Sequence, residues 1–310
     1  MLRIVATGLG VVCALGAVLA QGGRWSGALD VLAHFAPLYL AGAVVVLVTA
    51  LITPQRLGST GLALMGGLAA VGSLLLIVPE LLRPASPGAP ADAPRRLKVI
   101  QFNAEHDNAN IATTARWIAA EDPDVLVLED GTPALQAAIQ RRLRRTVLCG
   151  LTCNVRIFSR ATPVRVERPR RGRYGQGPAI AIAHFGTGDG GYTVVGVHYV
   201  WPTKFVTHAE NTRRMLQIVD PLPRGRLILA GDFNSSPWSF ARRREDALLR
   251  VERRTRAMFS WPANGLGVPF LPIDHVYAGP DWKTVSIARG PRLGSDHYPI
   301  VAVFALGPKT

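Results

Sequence analysis

Cysteine is nearly absent. Three residues in 310, with no Cys-x-x-Cys pair and no Cys/His cluster at zinc-ligand spacing, exclude a disulfide-dense scaffold and a structural zinc site. Lysine is as scarce, limited to Lys98, Lys204, Lys283 and Lys309, so arginine carries almost all of the formal net charge of +14. Charged residues make up only 18% of the chain against 48% apolar. With a mean hydropathy of +0.20, this excludes a disordered polyelectrolyte and is high for a wholly soluble enzyme. No internal repeat is present.

The missing charge is missing mainly from residues 1–83, where Arg3, Arg24, Arg56 and Arg83 face only Asp30 and Glu80. Three uninterrupted apolar runs lie there: Ile4 to Ala20, Val31 to Thr53 and Leu62 to Val78. Each reaches the roughly 17–25 residues that a helix needs to cross hydrocarbon, and the glycines of the third suit close packing between membrane helices. The sequence predicts three spans. The first run also has the form of a signal peptide, with Arg3 ahead of it and Val18-Leu19-Ala20 at its end. Retained or cleaved, crossing parity puts the remainder of the chain outside the cell membrane. Residues 84–96, rich in Pro and Ala, read as a semi-rigid linker.

The rest of the chain, residues 84–310, carries the remaining charge of +12, which favours anionic ligands. The basic stretch from Arg165 to Arg173 has two readings, a polyanion contact or a solvated loop. Strand-like runs recur at Leu97–Phe102, Asp124–Leu128, Val155–Phe158, Ala179–Ala183, Tyr192–Val197, Arg226–Ala230, His275–Ala278 and Pro299–Phe304. Helical spacing is seen near Ala112–Ala120 and His208–Val219. Many strands with few helices predict two packed sheets covered by helices. Cys149 and Cys153 are close enough in sequence to bridge in an oxidising compartment, whereas Cys13 lies alone in the first run.

Polar residues cluster at the ends of these strands. In Gly231-Asp232-Phe233-Asn234, extended backbone would turn Asp232 and Asn234 to one side and Phe233 into the packing. Asp232 could then orient an attacking water and Asn234 could donate to a phosphoryl oxygen, with Gly231 making room for substrate. Taken alone, the tetrapeptide reads better as an Asx turn after a strand. In Gly294-Ser295-Asp296-His297 a loop lets Asp296 and His297 face one pocket, and Asp274 could hold an imidazole nitrogen of His297. Glu129, closing an apolar strand, has the chemistry of a magnesium anchor, with Asn103 beside it. His198, after another strand, could protonate a leaving oxygen. Each has an ordinary alternative: a solvated carboxylate, or a histidine bonded to backbone.

The set as a whole is more specific than its parts. Asn103 in Val99-Ile100-Gln101-Phe102-Asn103, Glu129 in Leu126-Val127-Leu128-Glu129, His198, Gly-Asp-Phe-Asn, Ile273-Asp274-His275 and Ser295-Asp296-His297 follow one another in the order of the endonuclease/exonuclease/phosphatase superfamily, the deoxyribonuclease I-like fold. Ile157-Phe158-Ser159-Arg160 resembles that family's strand ending in Ser-Arg, and Asn234-Ser235-Ser236-Pro237-Trp238-Ser239 resembles a membrane-anchored bacterial branch.

The resemblance implies a four-layer α/β/β/α sandwich preceded by transmembrane helices, and hydrolysis of phosphoester bonds with Mg²⁺ or Mn²⁺. It implies Glu129, Asn103 and Asp296 at the metal. Asp232 and Asn234 would then act on water and phosphate, and His198 and His297, the latter paired with Asp274, would serve as acid/base groups. The substrate would be an anionic phosphoester: nucleic acid, nucleotide or lipid head group. The location would be a bacterial cell membrane with the catalytic domain exported. A catalytically silent, membrane-tethered binding module is the alternative of another class.

Overall fold

The computed structural model describes the chain except residues 54–57, 109, 171, 173, 174, 176, 266, 267 and 308–310. Arg56, and Arg171 and Arg173 of the basic stretch, lie outside the described residues. The chain divides into two units: Met1–Pro84 with Ser235–Arg244, and Ala85–Asn234 with Glu245–Thr310.

The first unit contains α1 (Leu2–Ala20), α2 (Gly27–Ala33), α3 (Ala36–Ile52) and α4 (Ser59–Leu81). Its outer surface is apolar. Small residues such as Ala6, Ala14, Ala17, Ala43, Gly66 and Ala69 are buried between the helices, while Val5, Val12, Leu15, Val45, Val48, Leu64 and Leu75 are exposed. The stretch Leu2–Arg24 and α4 are each long and apolar enough to cross a membrane; α2 and α3 pass the same test only as a pair, bent by 54°. The single helix predicted over Val31–Thr53 is therefore broken at His34 and Phe35. Two causes are local. Pro37, in the first turn of α3, has no N–H to continue the ladder, and the His34 carbonyl instead accepts from Trp238 Nε1 at 3.3 Å.

The second unit has two six-stranded sheets. In one the order is β11 (Trp282–Arg289), β12 (Ile300–Leu306), β1 (Arg96–Asn103), β2 (Val125–Glu129), β4 (Val155–Ser159), β3 (Thr146–Cys149). In the other it is β5 (Arg165–Glu167), β6 (Ala179–Phe185), β7 (Tyr192–His198), β8 (Leu227–Asp232), β10 (Asp274–Ala278), β9 (Glu252–Arg253). Each sheet is antiparallel except for one central parallel pair, β1 with β2 and β7 with β8. On the outer faces, α5 (Ile111–Glu121) and α6 (Pro133–Leu143) cover the first sheet, and α7 (Phe205–Val219) with Leu249 of α8 (Phe240–Leu249) covers the second. This is the expected four-layer sandwich. Helices α6 and α8 and the edge strands β3, β5, β9 and β11 were not signalled by sequence period. In the linker, Ala89 N–H donates to the Thr284 carbonyl and Thr284 N–H to that of Pro87, so these residues run along β11.

Strand alternation delivers the site. On β1, Leu97 and Val99 face the core between the sheets while Ile100 and Phe102 face the helices. Continuing with period two, Gln101 and Asn103 also face inward. The same count puts Glu129 after Val125 and Val127, Asp232 after Ile228 and Ala230, and Asp274 before Val276 and Ala278 on the inner faces. The inter-sheet layer is thus apolar along its length and polar at one end. Gly196 keeps the sheets close there, since a Cβ at that position would lie 2.8 Å from Val127 Cγ1.

Cys149 and Cys153 are joined by a disulfide, and Cys13 is free and buried. Alkylation of the unreduced, denatured protein is therefore expected to add one label by mass spectrometry, at Cys13, and three after reduction.

Candidate active site

Register brings the polar strand ends together. Asn103 stands opposite Glu129, and Asp232 stands between His198 on one neighbouring strand and Asp274 on the other. The hub is Asp232, 1% exposed. Its Oδ2 accepts from Asn103 Nδ2 at 3.0 Å and from Asn234 Nδ2 at 3.1 Å, and lies 3.5 Å from His198 Nε2 and 3.7 Å from His297 Nε2. Its Oδ1 accepts from the Asn234 backbone N–H at 2.8 Å.

That last bond closes the Asx turn that the tetrapeptide alone suggests, in place of the extended backbone that its catalytic reading assumes. Asn234 has φ 49°. Turn and site coexist, because the turn itself swings the Asn234 amide back onto Asp232. Phe233 is buried against Tyr199, His275 and Tyr277 as expected. Gly231 serves a different purpose from the one predicted. A Cβ there would stand 1.8 Å from the Val197 carbonyl oxygen, so the glycine admits the neighbouring strand rather than substrate. Gly231→Ala should destabilise the fold by about 3 kcal/mol or more, read by urea denaturation of the full chain.

His297 is fixed from both sides. Its Nδ1 lies 2.8 Å from Asp274 Oδ2, and its backbone N–H donates to Ser295 Oγ, whose hydroxyl donates to the Asn103 carbonyl. Burial opposes a charge on the ring, but Asp274 and then Asp232 outweigh it and push His297 up to about 10. Asp232 is raised to about 6, by burial first and with His297 working against the rise. Asp296 sits 3.7 Å from His297 Nε2. Its Oδ2 accepts from Trp261 Nε1 at 2.8 Å, and its N–H donates to Glu105 Oε2.

Glu129 is wholly buried and raised well above the usual carboxylate range, by desolvation first and then by Asp274 and Asp232. Gln101 Nε2 donates both to Glu129 Oε2 at 3.1 Å and to Asp274 Oδ1 at 2.7 Å. Glu129 Oε1 and Asn234 Oδ1 are buried with no hydrogen-bond partner among the described residues. Unpartnered acceptors beside several carboxylates suit a cation. Asp232, Asp274 and His297 also offer ligand atoms within 4.8 Å of one another.

All eight residues singled out from sequence thus belong to one cluster. Asn103, His198, Asp232, Asn234, Asp296 and His297 line a cavity of about 570 Å³, whose rim includes Trp201 and Lys204. Glu129 and Asp274 are buried beneath it. Four contributors were not foreseen: Gln101, Asn154, Glu105 and Trp261. Gln101 carries a legible signal, a polar residue in an apolar strand two positions before Asn103. Asn154 carries none; its Oδ1 lies 2.9 Å from His198 Nδ1, and its Nδ2 donates to Asp130. Asn154→Ala is expected to lower kcat about tenfold by freeing the His198 ring, measured in steady-state assays.

The architecture defines a deoxyribonuclease I-like α/β sandwich with its polar cluster at one end of the inter-sheet core. Residues 100–297 match the Endonuclease/Exonuclease/phosphatase family, and the chain belongs to it. Among solved structures it is similar to the endonuclease/exonuclease/phosphatase from Bacteroides vulgatus, at 14% identity and TM-score 0.58, over 68% of this chain and 99% of that one. It is also similar to D. rerio TDP2 complexed with single strand DNA product, at 19% identity and TM-score 0.54, over 67% and 98%. A third is the mannosyl-6-phosphatase of Bacteroides thetaiotaomicron, at 16% identity and TM-score 0.54, over 68% and 100%. No curated protein matches the chain. The family is one of phosphoester hydrolases.

Proposed function

We propose that this protein is a membrane-anchored, divalent-metal-dependent phosphoester hydrolase of the phosphodiesterase or nuclease type, in which water attacks phosphorus directly. The observation that carries the reading is the convergence of Asn103, His198, Asn234 and His297 on Asp232, above a buried Glu129 whose Oε1 has no hydrogen-bond partner among the described residues. Glu129, Asn103 and Asp296 would hold Mg²⁺ or Mn²⁺. The Asp232 oxygens and His297 Nδ1 are already engaged in hydrogen bonds, whereas Glu129 Oε1 has none among the described residues. When bound, the ion supplies Lewis-acid stabilisation of the negative charge that grows on phosphoryl oxygens.

The protein's own groups divide the remaining work. Asp232 orients water and accepts its proton, and Asn234 and His297 donate to the phosphoryl oxygens. Asp274 keeps the His297 ring oriented with Nε2 toward the cavity. His198 delivers a proton to the leaving oxygen, its ring held by Asn154. No side chain in this arrangement serves as a covalent nucleophile. Hydrolysis in ¹⁸O-labelled water should place one label in the phosphoryl product in a single turnover, whereas a trapped phosphoryl-enzyme would contradict direct attack.

Three crossings, the second formed by the bent α2–α3 pair, would anchor the chain in a bacterial cell membrane with the hydrolase outside. The apolar outer faces of α1, α3 and α4 support this reading. Assays of the full chain with plasmid DNA, RNA, a nucleotide diester and a phospholipid, each with Mg²⁺, identify the substrate class.

A further inference from the structure

The first unit contains more than helices. Residues Ser235–Arg244 belong to it, and this segment begins one residue after Asn234. What holds the segment is polar and buried. His34, at the break between α2 and α3, receives the Ser236 backbone N–H on Nδ1 at 3.1 Å, with the Ser236 hydroxyl 2.9 Å from the same nitrogen. Its carbonyl accepts from Trp238 Nε1. One helical turn earlier, Asp30 uses both carboxylate oxygens to accept the backbone N–H groups of Phe240 and Ala241, each at 2.8 Å, at the start of α8. Ser239 Oγ accepts the next one, from Arg242 at 3.1 Å. The orphan donors of a helix N-terminus are thus satisfied largely by a residue some 210 positions away. Arg24 and Arg243 stack against the Phe240 ring, 5.4 and 5.6 Å from its centroid, and Arg243 also donates to the Leu76 carbonyl in α4.

An apolar membrane bundle has little reason to bury a carboxylate and an imidazole unless they bind something specific. Asp30 and His34 are each 4% exposed, and the bonds above tie both to this segment. We propose that Asp30 and His34 are positioning residues of the active site: they fix the downstream end of the turn that carries Asn234, while β8 fixes the upstream end. Asn234 adopts a left-handed conformation, φ 49°, and its amide reaches both Asp232 Oδ2 and the Tyr199 carbonyl. Such a turn keeps its geometry only if the chain on both sides is held. This inference rests on the hydrolase reading above.

The test uses the full chain in lipid nanodiscs, with Mg²⁺ and bis(p-nitrophenyl) phosphate as the probe. Two readouts are taken: steady-state kinetics, and hydrogen–deuterium exchange of peptides covering 232–241. His34→Ala and Asp30→Asn are each expected to raise exchange in that segment about tenfold or more. Each should lower kcat by about 10–100-fold with KM unchanged. His34→Asn, whose amide oxygen can take the place of Nδ1 as acceptor, should restore most of both. Unchanged exchange, or faster exchange with unchanged kcat, would overturn the proposal, as would equal losses in kcat and KM that His34→Asn fails to rescue. If His34→Ala does not fold, Asp30→Asn carries the same test, since it keeps the size and one acceptor oxygen. If the wild type hydrolyses no phosphoester, the hydrolase reading fails by itself, and the exchange data alone decide whether Asp30 and His34 hold the turn.

Discussion

Glu129→Gln lowers kcat/KM by about 10³-fold while leaving the metal-free protein more resistant to heat than the wild type. The two effects have one cause. Glu129 is fully buried, its Oε1 has no hydrogen-bond partner among the described residues, and the Asp274 and Asp232 carboxylates lie nearby. Desolvation first, and those two charges next, raise its pKa in the folded state. A carboxyl raised in this way binds its proton more tightly when folded than when unfolded. Stability therefore falls as pH rises from the unfolded value, about 4.3, through the folded one. At neutral pH, where the unfolded chain carries the free carboxylate, burying this group costs stability unless a cation faces it, and an amide of the same shape removes that cost.

Thermal scans in EDTA at pH 7 should place the Tm of Glu129→Gln above that of the wild type. Adding Mg²⁺ should raise the wild-type Tm and leave the variant unchanged. A variant that keeps full activity, or that melts below the wild type in EDTA, contradicts the assignment of Glu129 as the anchor.

Asp274→Asn is expected to reduce kcat by about 10²–10⁴-fold, although the substitution is isosteric. The reason lies in the hydrogen-bond order. Gln101 Nε2 donates to Asp274 Oδ1, and His297 Nδ1 lies against Oδ2. An asparagine must turn its oxygen toward Gln101 and its NH₂ toward His297. Nδ1 then becomes an acceptor, the ring is driven to the neutral Nε2–H tautomer, and the imidazolium loses the first of the carboxylates that push it up to about 10. NMR titration should show the His297 pKa lowered in the variant together with the fall in kcat. An unchanged kcat would remove the Asp274–His297 pair from the mechanism.

Much of the site was legible because strand alternation is a strong constraint. Once Val99, Val127 and Ala230 face the core between the sheets, Asn103, Glu129 and Asp232 follow on the same faces at the strand ends. What stayed hidden depends on geometry that no local pattern encodes. Asn154 reaches His198 from a loop 44 residues away in sequence. The Gly231 contact arises only when β7 and β8 pair.

The apolar run Val31 to Thr53 was read as one helix because hydropathy is blind to a carbonyl diverted to Trp238. The same blindness concealed the meaning of Asp30 and His34. In a hydropathy profile they are two polar residues near the start of an apolar stretch; in the fold they are bonded to the segment that follows the turn at Asn234.

The central claim is that one cluster, built on Glu129 and Asp232, hydrolyses phosphoesters with the help of a divalent cation. The most direct measurement is the rate of bis(p-nitrophenyl) phosphate hydrolysis by the purified full chain, first in EDTA and then after Mg²⁺ or Mn²⁺ is restored. Activity at background in EDTA that returns with the cation is the predicted result. The same rate in EDTA as in Mg²⁺ would contradict it.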